Sequence, residues 1–164
     1  MHDIARLLLW GAVLGVGGSA LMDAWALLVR RAFHVPTLDY ALLGRWIGHF
    51  PRRRFRHARI ATADPIRGER ALGWAAHYAI GITFAVALLA IWGLRWLDGP
   101  TPGPALAVGL ATIVGPWFLM QPGMGAGIAG SRTPNPRATR LRNLATHTVY
   151  GVGVYLAAVA VSGN

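Results

Sequence analysis

Cysteine and lysine are both absent from this chain of 164 residues. Without cysteine there can be no disulfide, no thiolate metal site and no cysteine nucleophile, and redox chemistry gives no clue to the compartment. The formal positive charge comes from 16 residues, all arginine, against only six acids. Formal charge is missing entirely from residues 71–94, 99–131 and 143–164, and residues 7–29 carry only Asp23. A run of about 20 predominantly apolar residues, rising about 1.5 Å per residue as a helix, crosses the hydrocarbon core of a bilayer. Each stretch is therefore long enough to be a transmembrane helix.

Composition agrees. At 54% hydrophobic and 13% charged residues, with mean hydropathy +0.43, the chain is too apolar for a soluble domain of its size. A pI near 11.7 would ordinarily suggest nucleic acid as a partner. The arginines, however, flank apolar spans, and that pattern belongs to topology and the lipid surface. No nucleic acid is expected. The first span is longer than a signal-peptide core and contains an aspartate, so it reads as a retained helix.

Ten arginines lie in residues 30–70 and four in residues 131–142. Arginine is retained on the cytoplasmic side of bacterial inner membranes, so both segments are placed inside and both termini on the periplasmic side. The link Leu97-Asp98-Gly99-Pro100-Thr101-Pro102 has turn chemistry and little net charge, as an external loop should. The expectation is one all-α membrane domain over residues 1–164, with four transmembrane helices at about 5–30, 71–95, 104–121 and 141–162. The helices form two similar hairpins with an amphipathic arginine-rich cytoplasmic loop. The similarity is an internal repeat. A shift of 70 residues pairs His77 with His147 and Gly81 with Gly151, and a shift of 98 pairs Gly11 with Gly109 and Asp23 with Gln121. A parallel repeat of this kind builds a site at its interface in several transporters.

Asp23, His77 and His147 each lie seven residues from an arginine (Arg30, Arg70, Arg140), which places all three at one depth. Small residues at four-residue spacing (Gly11, Gly15, Ser19; Gly73, Gly81; Gly151) turn those faces toward neighbouring helices. Ionisable groups facing lipid cost several kcal/mol, which favours an inward cluster. The expected site is a cytoplasm-facing pocket in which Asp23, His77, His147 and Gln121 bind a cation, relay a proton or hold a small solute. Alternatively Asp23 accepts a hydrogen bond from a histidine or Trp25 and only joins helices. Two histidines and a carboxylate also form a metal-ligand set, with Asp23, His77 and His147 as ligands, and two histidines could bracket a haem. No anchor motif for either is present, so no cofactor is required, and nothing points to an enzyme.

The third apolar stretch, Pro104 to Gly130, exceeds a membrane span, and a break is expected near Pro122 in the run Gln121-Pro122-Gly123-Met124-Gly125-Ala126-Gly127. Such backbone at membrane depth should line a cavity. Thr133-Pro134-Asn135-Pro136 reads as a rigid connector, beside which Arg132 and backbone N–H groups could hold an anion. In the long inner loop, Trp46, Ile47 and Phe50 have helical spacing, and Arg52, Arg53 and Arg54 are drawn to anionic lipid headgroups. His49 and His57 are expected in solvated loop positions, the rival being that they reach up beneath the bundle and close the polar pocket as a lid. Partners beyond the bilayer are a second copy, through the Gly11/Gly15 face, or another membrane protein; the competing role is a non-catalytic accessory or lipid-interacting subunit.

Met22-Asp23-Ala24-Trp25-Ala26-Leu27, Gly44-Arg45-Trp46-Ile47-Gly48-His49, Arg67-Gly68-Glu69-Arg70-Ala71-Leu72-Gly73-Trp74 with His77, and Gln121-Pro122-Gly123-Met124-Gly125 with Thr133-Pro134-Asn135-Pro136 together resemble the bacterial membrane family termed domain of unknown function 2938. The resemblance implies a small multi-pass bacterial protein and carries no activity or site. It also implies that the inner loop and the Gly-rich break are as characteristic as the helices.

Overall fold

The computed structural model describes residues 2–35 and 37–162, and among them it is helical with no strand. The helices are α1 (His2–Phe33), α2 (Tyr40–Gly48), α3 (Glu69–Trp92), α4 (Pro102–Ala111), α5 (Gln121–Met124) and α6 (Pro136–Val161). Four continuous spans, Asp3–Phe33, Glu69–Trp92, Pro102–Met124 and Pro136–Val161, are long and apolar enough to cross a membrane. Large side chains such as Ile91 (70% exposed), Leu119 (67%) and Leu9 (60%) point outward, where a bilayer would cover them. Together these features define an all-α membrane protein.

The chain packs as two compact units. One comprises residues 1–35, 78–112 and 145–164; the other comprises residues 36–77 and 113–144.

In the first unit, Leu14, Leu88, Leu89, Val154 and Ala158 form the buried core. Helix contacts are made on glycine. A β-carbon at Gly15 would overlap Ile82, and one at Gly109 would come within 2.8 Å of Gly151 Cα. Small residues let membrane helices approach closely, because dispersion and weak hydrogen bonds replace the hydrophobic drive that lipid removes. The Gly11/Gly15 stripe thus packs against α3, with Val86 over Gly11.

The second unit is organised by α2. Asp39 caps its start, with Oδ1 accepting from Ala41 N at 2.9 Å. Gly44 of α2 lies against Gly73 of α3 so closely that a β-carbon on either would overlap backbone, Glu69 O in the first case and Tyr40 O in the second. Beside this contact, Arg45 clamps Glu69 with two bonds, Nε to Oε2 at 2.8 Å and Nη2 to Oε1 at 2.7 Å. Arg45 Nη1 also donates to the carbonyls of Ala61 (3.1 Å) and Ala63 (3.2 Å), and Glu69 Oε2 accepts from Ile66 N at 2.9 Å. One guanidinium thereby fastens α2, the following loop and the start of α3.

The third span keeps its helix through Pro122. The irregularity falls earlier, as a π-helical turn over Pro116–Met120 in which Gln121 N reaches back to Pro116 O. This wider turn accommodates two prolines whose missing N–H groups would break an α-helical ladder. The stop comes at Gly125, whose φ of +95° needs a residue without a β-carbon. The backbone around it is met by protein. Gly125 packs against Ala58 O, His57 N donates to Gly123 O (2.8 Å), Trp46 covers Gly123, and Arg132 N donates to Ala126 O (2.8 Å).

The last helix starts at Pro136, about one turn before the position expected from its apolar content. Asn135 is its cap, Oδ1 accepting from Ala138 N at 3.0 Å, with proline in the first helical position.

Gly73→Ala should lower thermal stability of the detergent-solubilised protein by about 2 kcal/mol or more, because backbone and not a flexible side chain must yield. Arg45→Lys should cost about 1–2 kcal/mol, since lysine keeps the charge but not the fork. Both are read from unfolding transitions followed by circular dichroism.

Candidate functional site

Asp23 lies two-thirds of the way along α1, with no other formal charge between residues 7 and 29. Its carboxylate accepts a hydrogen bond from Tyr78 on α3, Oη to Oδ2 at 3.0 Å, so the donor is neither a histidine nor Trp25 in this contact. One turn back on the same face, Ser19 is 1% exposed, and its Oγ is buried without a hydrogen-bond partner among the described residues. Gly81, one turn beyond Tyr78 on α3, packs against Ser19. Its carbonyl accepts from Tyr150 Oη of α6 at 2.6 Å.

His147 of α6 meets Thr112 at the end of α4, Nδ1 to Oγ1 at 2.6 Å. The single hydroxyl hydrogen of Thr112 goes to Gly109 O, also at 2.6 Å. Nδ1 must therefore carry the imidazole hydrogen and donate to Thr112. His77, in the other unit, is held by Tyr40 of α2: Oη lies 3.2 Å from Nε2 and the rings stack at 4.4 Å. Each of the three ionisable residues singled out in the sequence thus has a hydroxyl partner from another helix. Among the described residues no group of three or more histidine, cysteine, aspartate or glutamate side chains is arranged to hold a metal ion.

Gln121 is buried at 8% exposure and belongs to a polar layer of the second unit. With the Asn143 amide oriented to satisfy its surroundings, its oxygen accepts from Gln121 Nε2 (2.7 Å) and Trp117 Nε1 (3.0 Å), and its nitrogen donates to Thr139 O (3.1 Å). Gln121 Oε1 remains buried without a partner.

The arginine loop folds back on α2. Trp46 Nε1 donates to Phe55 O at 2.8 Å, and Phe50 packs edge-on against Trp46 and tilted against Phe55. Arg52, Arg53, Arg54 and Arg132 are exposed. The two loop histidines differ from expectation. His49 is completely buried, its Nε2 3.0 Å from Asp64 O and its ring centroid 4.9 Å from that of His57. Both ring nitrogens of His57 are buried with no partner. Alternation of aromatics with arginines made this segment look like a headgroup strap; nothing in its local pattern signalled that Asp64 and Gly123 would close over the histidines.

The match to known families covers almost all of this architecture. The chain belongs to the family described as protein of unknown function (DUF2938), which it matches over residues 12–161. No curated protein and no solved structure is significantly similar to it.

Burial pushes the His57 imidazole below its usual 6.5, and nearby His49 and Arg54 act in the same direction, against the opposing pull of the Gly123 backbone. The folded loop therefore binds the proton less tightly than the unfolded chain, and its stability, full above 6.5, falls as pH drops through 6.5 toward the folded value. Hydrogen exchange corrected for intrinsic rates should show residues 49–64 opening more readily at about pH 5.5 than at about pH 7.5, and His57→Gln should flatten that dependence.

Proposed function

We propose that this protein binds a cation or proton within the membrane at Asp23, as a small transport or binding protein of the bacterial inner membrane. The observation that supports this reading most directly is a carboxylate deep in an apolar span, held by the Tyr78 hydroxyl, with the unpartnered Ser19 oxygen one turn away on the same helix face. An ionisable side chain at membrane depth is expensive to keep there, and such groups mark ion and proton paths. Ser19, Asp23 and Tyr78 supply only oxygen, the donor set of a hard cation or a proton.

The internal repeat supports the same reading. Gly81 and Gly151, paired by the 70-residue shift, each pack against the first helix of their own hairpin, α1 through Gly15 and α4 through Gly109. His147 and Thr112 then form the second hairpin's polar contact. The arginine-rich segments face the cytoplasm and anionic headgroups, and both termini face the periplasm, by the charge bias of the loops.

Purified protein in proteoliposomes, assayed for sodium and proton uptake, tests the proposal. Asp23→Asn should retain folded protein by size exclusion and abolish saturable uptake. Tyr78→Phe should lower apparent affinity by about tenfold, the worth of one hydrogen bond to a charged group. A folded Asp23→Asn variant with unchanged uptake, or a wild-type carboxyl infrared band indifferent to both pH and cation, would refute it.

A further inference from the structure

We propose that the cytoplasmic loop carries a second, independent site: the pocket bounded by Arg54, His57, Arg59 and Asp64 binds a phosphate group. The pocket has a volume of about 310 Å³ and is also lined by Ala58, Thr62 and Ala63. That volume lies at the lower end of small-molecule sites.

Two features point to an oxyanion. Neither the Arg54 nor the Arg59 guanidinium has a hydrogen-bond or ion-pair partner among the described residues, although both border the same pocket. This contrasts with Arg45, whose donors are taken by Glu69 and two carbonyls. His57, in the same wall, buries both ring nitrogens with no partner. A buried polar atom left unpaired costs about 1–3 kcal/mol, so an imidazole kept in this state marks an interaction still to be made. The neighbouring His49 has its Nε2 engaged with Asp64 O and is itself left with a buried, unpartnered Nδ1.

Phosphate matches this set. Its oxygens accept from the two arginine forks that line the pocket, charge-assisted bonds of the strong class, and the shielded His57 nitrogens join them only if the wall shifts to admit the ligand. Asp64 contributes one opposing charge, leaving Arg54 and Arg59 in excess even with His57 neutral. Thr62 spends its hydroxyl hydrogen on Arg59 O at 3.0 Å and is not counted as a donor. The phosphate could belong to an anionic lipid headgroup or to a soluble phosphate compound, and both present the same group to the pocket.

Full-length protein in phosphatidylcholine nanodiscs is titrated with inorganic phosphate, by calorimetry and by NMR of the His57 ring. In parallel, nanodiscs doped with phosphatidic acid are examined by the same NMR signal. A saturable shift of the His57 resonance by inorganic phosphate identifies a soluble ligand, and a shift only with phosphatidic acid identifies a headgroup; either supports the site. Arg54→Ala with Arg59→Ala, both exposed and harmless to folding, should weaken binding at least about tenfold, and His57→Gln should weaken it severalfold. Arg56→Ala, in the same run but outside the pocket, should change affinity by less than about twofold. Absence of saturable binding from both arms, or an Arg56→Ala loss equal to that of the double variant, would overturn the proposal in favour of a diffuse basic surface. Neither readout depends on Asp23, so failure here leaves the intramembrane proposal standing.

Discussion

The Arg45–Glu69 fork is the interaction on which the second unit depends. It joins the end of a nine-residue helix to the first residue of a membrane span, and its third nitrogen holds the loop between them. Both side chains are largely sheltered, at 14% and 17% exposure, so the pair is worth more than a surface ion pair and is costly to leave half made. Hydrogen bonding to Glu69 and its negative charge also raise the affinity of Arg45 for its proton. Arginine is required because only a planar guanidinium can engage two carboxylate oxygens and two carbonyls together.

That clamp works only because the backbones beneath it nearly touch. Gly44 and Gly73 remove the two β-carbons that would hold α2 away from α3, and the polar fork then closes over the contact. The same device recurs where Gly123 receives Trp46 and Gly125 receives the carbonyl of Ala58. Close approach brings backbone donors and acceptors within reach, as with His57 N and Gly123 O, and satisfies polar groups that neither lipid nor apolar side chains could.

Hydropathy and charge made the four spans legible, because a bilayer demands long uncharged helices and leaves few other solutions. Asp23 was equally legible as a lone carboxylate in apolar surroundings. Its partner was not, since Tyr78 follows His77 in sequence and a helical neighbour 100° around the axis is invisible without the packing. The loop was misjudged for a related reason. Local alternation of aromatics and arginines predicts an interfacial strap, whereas the burial of His49 comes from Asp64, fifteen residues away. Asn135-Pro136 could have been read as a helix start; the prolines around it suggested only a rigid turn.

The distribution of arginine follows from the same economy of polar groups. Inside the spans, where ionic groups face little screening and no water, ionisable side chains are few and each is met by a hydroxyl from another helix. Outside them, Arg45 is fully engaged while Arg54 and Arg59 are left with open donors beside a buried, unpaired imidazole. Topology alone asks only that positive charge stay on one side of the membrane and is indifferent to how those charges are arranged. Solvent could satisfy guanidinium groups spread along an exposed loop, but it does not explain a histidine whose two nitrogens are shielded within the same wall. The arrangement of this loop therefore exceeds what topology requires, and the excess is what a ligand would use.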